Sequence, residues 1–224
     1  MRQRITFGGI GAAAAVGLLV FLGSYLSETP VFAQAVEKIR EARSYSCDLI
    51  MKPTRPDMGE PVRSKTYCRA AGVMRMEMFR SAGKEPDEVT IVFPDKAGIQ
   101  IDHRARSYRT LAPRRGELSP AMLLHELGRY SGDATRKLGR KQVDESVSEG
   151  FEIDLTKIEP NVPSGTMELW VDVESRLPTQ IDIRQGEMPV VTVMQNFKWN
   201  EEFAPETFDV TPPEGYADKT QPEE

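Results

Sequence analysis

The sequence predicts a mainly β (α+β) domain, an antiparallel barrel or sandwich of about eleven strands with one N-terminal helix and one inserted helix. Two observations support this class. From Ser44 onward, apolar and polar residues alternate in short runs at about ten-residue spacing, with Gly, Pro and Asp between the runs. Helical spacing of apolar residues is found only before residue 44 and near residue 120. This pattern argues against a parallel sheet, whose strands alternate with helices.

The N-terminus has the pattern of an export signal. Two arginines in MRQR precede an uninterrupted apolar run over residues 5–26, and this order places the rest of the chain outside the cytoplasm. The run is long enough to span a bilayer, which favours an uncleaved signal-anchor, a transmembrane helix in the inner membrane. A cleaved signal peptide is the alternative, with a site at Val31-Phe32-Ala33. Ser24 stands where a lipid-attachment motif requires cysteine.

The exported part is predicted to be one domain of the cell envelope. Residues 1–28 form the signal-anchor or signal peptide, 29–218 the periplasmic domain and 219–224 a disordered tail. The chain has a formal net charge of −5, which becomes −7 without the two N-terminal arginines. A mildly acidic domain argues against nucleic acid as a partner.

Two helices are expected. The first follows Thr29, which suits the N-cap position, and Pro30, which suits the first helical position. The second is LSPAMLLHELG at 118–128, with Gly128 as the residue just past its end.

The strands follow from the two-residue period. Each candidate run has one apolar face and ends at a turn residue. The predicted strands are 44–52, 63–70, 73–79, 88–93, 98–103, 106–111, 136–143, 150–158, 166–173, 179–184 and 190–199.

The two cysteines belong to the first predicted hairpin. If residues 53–62 form its loop, paired residue numbers add up to 115, and Cys47 then lies directly opposite Cys68. Disulfides persist in exported proteins, so a Cys47–Cys68 bridge is one expectation. Two buried free thiols are the other.

The same hairpin register predicts an inner wall of unusual composition. In TYCRAAGVMRMEM, residues 66–78, small side chains and methionines occupy the face that Cys68 shares with the apolar side of the preceding strand. Methionine is flexible and fits varied apolar shapes, which suits a ligand cavity. Simple filling of a core by methionine is the alternative interpretation.

The sequence offers no catalytic constellation. It contains two histidines, His103 and His125, and neither has a metal-binding partner at helical spacing. Phosphate-binding loops, nucleophile elbows and CxxC pairs are missing from the sequence. We therefore expect no metal, no cofactor and no enzyme activity.

One segment is strongly basic. HRARSYRTLAPRR, residues 103–115, could bind lipid phosphates or an acidic partner protein as an outer hairpin. The alternative is that its arginines only keep an edge hairpin soluble. The arginines concerned are Arg104, Arg106, Arg109, Arg114 and Arg115.

Five segments of the sequence resemble those of a known protein family. In order along the chain, they are TYCRAAGVMRMEM, FPDKAGIQIDHRARS, SPAMLL, MELWVDVESRLP and FKWNEEFAPETFDVTPPEGY. Together they resemble the outer-membrane lipoprotein-sorting proteins of the periplasm, the LolA/LolB-like superfamily of lipoprotein carriers. The chain would be a divergent member of that superfamily. Where the family places an inward arginine that holds the lid, this sequence has Ala70.

The resemblance implies an unclosed β-barrel around an apolar cavity, with the two helices as its lid. In the carriers, that cavity takes the acyl chains of a lipoprotein. By this resemblance the cavity residues are Leu49, Met51, Thr66, Cys68, Ala70, Met74, Met76 and Met78. The lid residues are Phe32, Val36, Ile39, Met122, Leu123 and Leu124.

Two functional hypotheses remain open from the sequence. The first is a non-catalytic, chaperone-like protein that shelters the acyl chains of a lipoprotein or another lipid. The second is an envelope-stress sensor or regulatory module of the same fold. Because only MRQR would face the cytoplasm, such a sensor would act through a separate membrane protein partner.

Overall fold

The computed structural model describes residues 30–69, 72–80, 85–113, 120–186 and 188–220. Several predictions fall outside these ranges, namely the signal-anchor at 5–26, the N-cap at Thr29, and the roles of Ala70, Arg114 and Arg115. Within the described ranges, the helices are too short or too polar to cross a membrane.

The chain forms three α-helices and twelve strands within the described residues. The helices are α1 (Val31–Glu41), α2 (Pro120–Arg129) and α3 (Leu155–Ile158). The strands are β1 (Ser44–Pro53), β2 (Val62–Arg69), β3 (Val73–Phe79), β4 (Glu88–Val92), β5 (Gly98–Asp102), β6 (Ser107–Leu111), β7 (Arg136–Val143), β8 (Ser146–Asp154), β9 (Gly165–Asp172), β10 (Pro178–Gln185), β11 (Val190–Trp199) and β12 (Ala217–Asp218).

All of these strands belong to one sheet that does not close. Its order is β12-β6-β5-β4-β3-β2-β1-β11-β10-β9-β8-β7, and neighbours pair antiparallel except β12, which runs parallel to β6. The first and last strands of this order do not pair with each other, so the sheet is an open barrel. The predicted fold class is therefore confirmed. Eleven strands correspond to predicted ones, and the twelfth, β12, has two residues.

The concave face of the sheet carries the main core. Helix α1 buries Phe32, Ala35, Val36 and Ile39 against it, because these positions recur on one side of an amphipathic helix. Helix α2 packs beside α1 and buries its own leucines. A Cβ added at Gly128 would lie 3.3 Å from the Arg40 backbone, so glycine permits the close approach of the two helices.

The convex face carries a second core that the sequence analysis did not predict. Strands β4 and β5 direct one set of apolar side chains outward, and the C-terminal segment, residues 200–218, packs over them. This convex core consists of Val89, Ile91, Phe93, Ile99, Ile101 and Phe208. The sheet is therefore covered by helices on one side and by the end of the chain on the other.

The predicted hairpin register is wrong. In the structure Met51 pairs with Val62, so paired residue numbers add up to 113 and Cys47 faces Thr66. The ladder ends at Val62, next to Pro61, which has no N–H to extend it, and Pro53 pairs with Val190 of β11.

Two boundaries also differ from the prediction. The strand expected at 150–158 occupies 146–154, and residues 155–158 form α3, capped by the Asp154 side chain on the Thr156 N–H. Gly128 lies inside α2 and not past its end. Its packing against α1, which a single-helix pattern does not reveal, explains the glycine there.

Candidate functional site

The candidate site is the concave wall where β1 to β4 lie under the two helices. Tyr45 lies opposite Cys68, Cys68 opposite Met74, and Met74 opposite Val92, so four strands contribute one continuous row. All four side chains are buried. The alternation of side chains along each strand places them on the same face.

A small cavity lies between this row, the end of α1 and the start of α2. Its volume is about 50 Å³, enough for a few water molecules. It is lined by Ile39, Ala42, Ser44, Tyr45, Cys68, Arg69, Gly72, Val73, Met74, Met122, Leu124, His125 and Trp199.

Some of the predicted cavity and lid residues meet at this cavity. Cys68 and Met74 of the wall line it, as do Ile39, Met122 and Leu124 of the helices. The other predicted lid residues, Phe32, Val36 and Leu123, are buried in the adjoining core.

The remaining predicted wall residues lie on the same face but away from this cavity. Leu49 and Thr66 are buried, and Met51, Met76 and Met78 are half-buried. Thr66 pairs with Met76 and then Thr90, while Ser64 pairs with Met78 and then Glu88. The inner wall therefore becomes more polar from β3 toward β4.

Sequence reasoning missed the aromatic side of the cavity. The rings of Tyr45 and Trp199 lie 5.2 Å apart, and Phe197 stacks on Trp199 at the same distance. Tyr45 shares the two-residue period of Cys47 and Leu49, so its position on the inner face could be predicted from the sequence. Trp199 could not be placed, because β11 pairs with β1 across more than half of the chain.

The cysteines are buried free thiols in this structure. Burial raises the pKa of Cys68 to about 12, with the Tyr45 hydroxyl as hydrogen-bond partner. Burial and the nearby Cys68 raise the pKa of Cys47 well above its usual range. Residues that are diagonal across a ladder lie farther apart than a disulfide allows, so the predicted bridge does not fit this register.

Thr66 is a polar residue without a polar contact in the described structure. Its hydroxyl is buried and has no hydrogen-bond partner, although it lies between Cys47 and Met76 on the inner wall. Leaving a buried hydroxyl unpaired is destabilising by about 1–3 kcal/mol.

The basic hairpin does not form one uniform surface. Arg104 lies 3.8 Å from Asp87, and the Arg106 guanidinium lies over the Tyr216 ring of the C-terminal segment. Arg109 donates to Gln100 on the concave side. The three described arginines thus have separate neighbours.

The histidines have no metal-binding surroundings in the described ranges. His103 Nδ1 lies 3.0 Å from the Tyr216 hydroxyl, and His125 is an exposed residue at the cavity rim. No group of three or more potential metal ligands occurs among the residues that the structure describes.

Comparison with known proteins gives matches in structure and none in sequence. No protein-family model and no curated protein matches the chain. Solved structures do match it. An uncharacterized conserved protein from Thermus thermophilus has a TM-score of 0.51 at 10% identity, covering 85% of this chain and 97% of that one.

Two further structures are similar. LprF from Mycobacterium bovis has a TM-score of 0.50 at 13% identity, over 84% of this chain and 96% of its own. A LolA superfamily protein from Nitrosomonas europaea has a TM-score of 0.39 at 11% identity, over 80% and 96%. At such identities the likeness concerns the fold alone. The open-barrel fold that the sequence segments predict is shared with the Thermus thermophilus protein and with LprF.

Proposed function

We propose that this protein is a non-catalytic lipid-binding protein that shelters acyl chains between the concave wall and helices α1 and α2. The observation that carries the proposal is the composition of the cavity. Flexible apolar side chains of the wall and the cover meet there, with Met74 and Met122 among the lining residues and Ile39 and Leu124 beside them. Ser44, Arg69 and His125 add polar groups to the same lining. Flexible thioethers accommodate varied apolar shapes.

Binding in this cavity requires the helices to move. Ligand clefts typically measure roughly 300–1,000 Å³, whereas the cavity here measures about 50 Å³. We expect α2 to move away from the wall as an acyl chain enters. The half-buried Met76 and Met78 continue the same face and would extend the space.

The proposed location is extracytoplasmic. The apolar run at 5–26 follows two arginines, which supports export with the described domain in the periplasm. Only three residues separate this run from Pro30, so an uncleaved anchor would hold the domain close to the inner membrane. A cavity near a bilayer would have direct access to lipid.

The proposal can be tested with a photoactivatable acyl probe, a palmitate analogue carrying a diazirine. The full-length chain in detergent is irradiated with the probe, and modified peptides are identified by mass spectrometry. We expect labelling of β2, β3 and α2, and competition by unlabelled palmitate. Uniform labelling, or labelling that palmitate does not reduce, would contradict the proposal and favour a regulatory module that binds no lipid.

A matched pair of variants makes this test specific. Met122→Glu places a charge in the cavity cover, and burying it with an acyl chain would be costly. Met188→Glu changes an exposed methionine, 55% accessible, in the turn before β11. Labelling should fall several-fold in Met122→Glu and stay unchanged in Met188→Glu.

A further inference from the structure

The open sheet has a long free edge. Strand β7, residues Arg136–Val143, is the last strand in the sheet order and pairs only with β8. At the other edge, β12 pairs with the beginning of β6. In an antiparallel pair, half of the backbone N–H and C=O groups of an edge strand point outward. Among the described residues, nothing pairs with those outward groups of β7.

This free edge is basic in a chain whose net charge is negative. Its cations are Arg136, Lys137, Arg140 and Lys141. Three of the four have side chains 65–71% exposed. They share two carboxylates on β8, so positive charge is in excess along the edge.

The ion pairs on β8 leave this excess open to solvent. Arg136 contacts Glu152 at 2.7 Å. Lys137 and Arg140 both contact Glu149, at 3.7 and 3.5 Å. The cations of these pairs are largely exposed, whereas the side chains of Glu149 and Glu152 are 13% and 21% exposed.

Packing against an aromatic ring holds the Lys141 side chain of the edge strand in place. The Lys141 ammonium lies 3.8 Å from the centre of the Trp170 ring. Trp170 in turn covers Gly150, where an added Cβ would come within 2.6 Å of the ring. The cation is therefore positioned by packing.

The charges decide which strand could add to this edge. Antiparallel pairing of β7 with β7 of a second copy would bring cations opposite cations, which is destabilising. An extended segment with Asp or Glu at alternate positions would instead oppose two cations on one face of the strand with carboxylates, as at Lys137 and Arg140. Strand addition to a sheet edge is a recurrent form of peptide recognition.

We propose that β7 binds an extended acidic segment of a partner protein, which adds to the sheet as a further strand. Backbone hydrogen bonds hold the segment, and Lys137 and Arg140, which share one face of the edge, select for acidic side chains. The bulge at Gly139, whose φ is +89°, bends the edge strand. This site is separate from the lipid cavity, and neither proposal depends on the other.

The test uses three synthetic peptides as long as β7 itself, eight residues. One alternates Glu with Val, one alternates Lys with Val, and the third is the Glu/Val peptide N-methylated at alternate residues. The full-length chain in an uncharged detergent is mixed with each peptide, and amide hydrogen exchange is followed by mass spectrometry. We expect protection of 136–143 by the Glu/Val peptide alone, and weaker protection as salt is added.

Two further results would identify the contacts. Lys137→Gln/Arg140→Gln removes both charges but keeps polar side chains, and it should weaken binding of the Glu/Val peptide by about tenfold. Arg104→Gln, at the β5–β6 turn, should bind as the unchanged chain does. Lack of protection of β7, or equal protection by the N-methylated or Lys/Val peptide, would overturn the proposal and leave the basic edge as a guard against self-association.

Discussion

Cys68 lies directly across the β1–β2 ladder from Tyr45, whose hydroxyl is its hydrogen-bond partner. The two side chains are buried together at the cavity wall. The thiol therefore belongs to the apolar lining and not to a crosslink.

The unfolding free energy should fall at alkaline pH because of this thiol. Burial raises the pKa of Cys68 from 9.0 to about 12, so the folded state keeps its proton at a pH where the unfolded chain has lost it. The contribution of the thiol is complete below about pH 9 and is lost as the pH rises toward 12. Urea unfolding between pH 8 and 10.5 should therefore show a smaller pH dependence in Cys68→Ala than in the unchanged chain, and equal slopes would contradict the assignment.

The buried thiols should also be unreactive until the protein unfolds. Thiolate is the reactive form, and both cysteines are held as thiols in the folded state. A chromogenic disulfide reagent at pH 8 should modify two cysteines in urea and almost none in native buffer. Rapid modification of the native chain would show that the wall is open to the reagent. Lack of modification in urea without reductant would show a disulfide.

Replacing Thr66 by Val should stabilise the protein by about 1 kcal/mol, because it removes a buried hydroxyl that has no partner. Ser148 provides the contrast. It is also buried, but its hydroxyl lies 2.9 Å from that of Thr179. Ser148→Ala should destabilise by about 1 kcal/mol. Urea unfolding followed by tryptophan fluorescence measures both, and destabilisation by Thr66→Val would indicate an ordered partner for its hydroxyl.

Arg69 should hold the C-terminal segment on the convex face. Its guanidinium lies 4.6 Å from the centre of the Phe208 ring and donates to the Phe203 carbonyl at 3.1 Å. Arg69→Ala should cost about 1–2 kcal/mol and speed proteolysis after residue 200. Arg104→Ala, which loses only an exposed contact of 3.8 Å, should change neither quantity. Equal protease sensitivity of the two variants would contradict this role.

Gly128→Val should separate the two helices. The new side chain would meet the Arg40 backbone, which cannot move aside as a flexible side chain can. We expect a loss of about 1–3 kcal/mol and more labelling by the acyl probe, because the cover moves away from the wall. Gly59→Ala is also expected to be destabilising, because φ there is +90°, but no atom lies near its Cβ position. It therefore controls for lost stability without displacement of the helices. Reduced stability with unchanged labelling would argue against helix movement as the entry step.

Much of the architecture could be predicted from local patterns. The two-residue period located the strands, since one face of each is buried and the other is not. The inward set at Cys68 and Met74 was identified for the same reason. The helices were located from Phe32, Val36 and Ile39 and from the leucines of α2.

The remaining features depend on partners that are distant in sequence. The β1–β2 register could not be predicted from the alternation, because a shift by two residues keeps the same side chains on the inner face while it moves Cys47 away from Cys68. The packing of Phe208 over Ile91 and Ile99 joins the end of the chain to its middle, so no local period shows it. The basic edge at β7 was overlooked because a strand becomes an edge only through the order of the whole sheet.

The position of the C-terminal segment also constrains when the domain can form during synthesis. Strands β4 and β5 expose Ile91 and Ile99 on the convex face until Phe208 has left the ribosome, and β1 has no β11 partner until residue 199 is made. Pairings of such long range close slowly. A nascent chain cut off before residue 200 would carry an uncovered apolar face and an unpaired β1, so stable folding has to follow completion of the polypeptide.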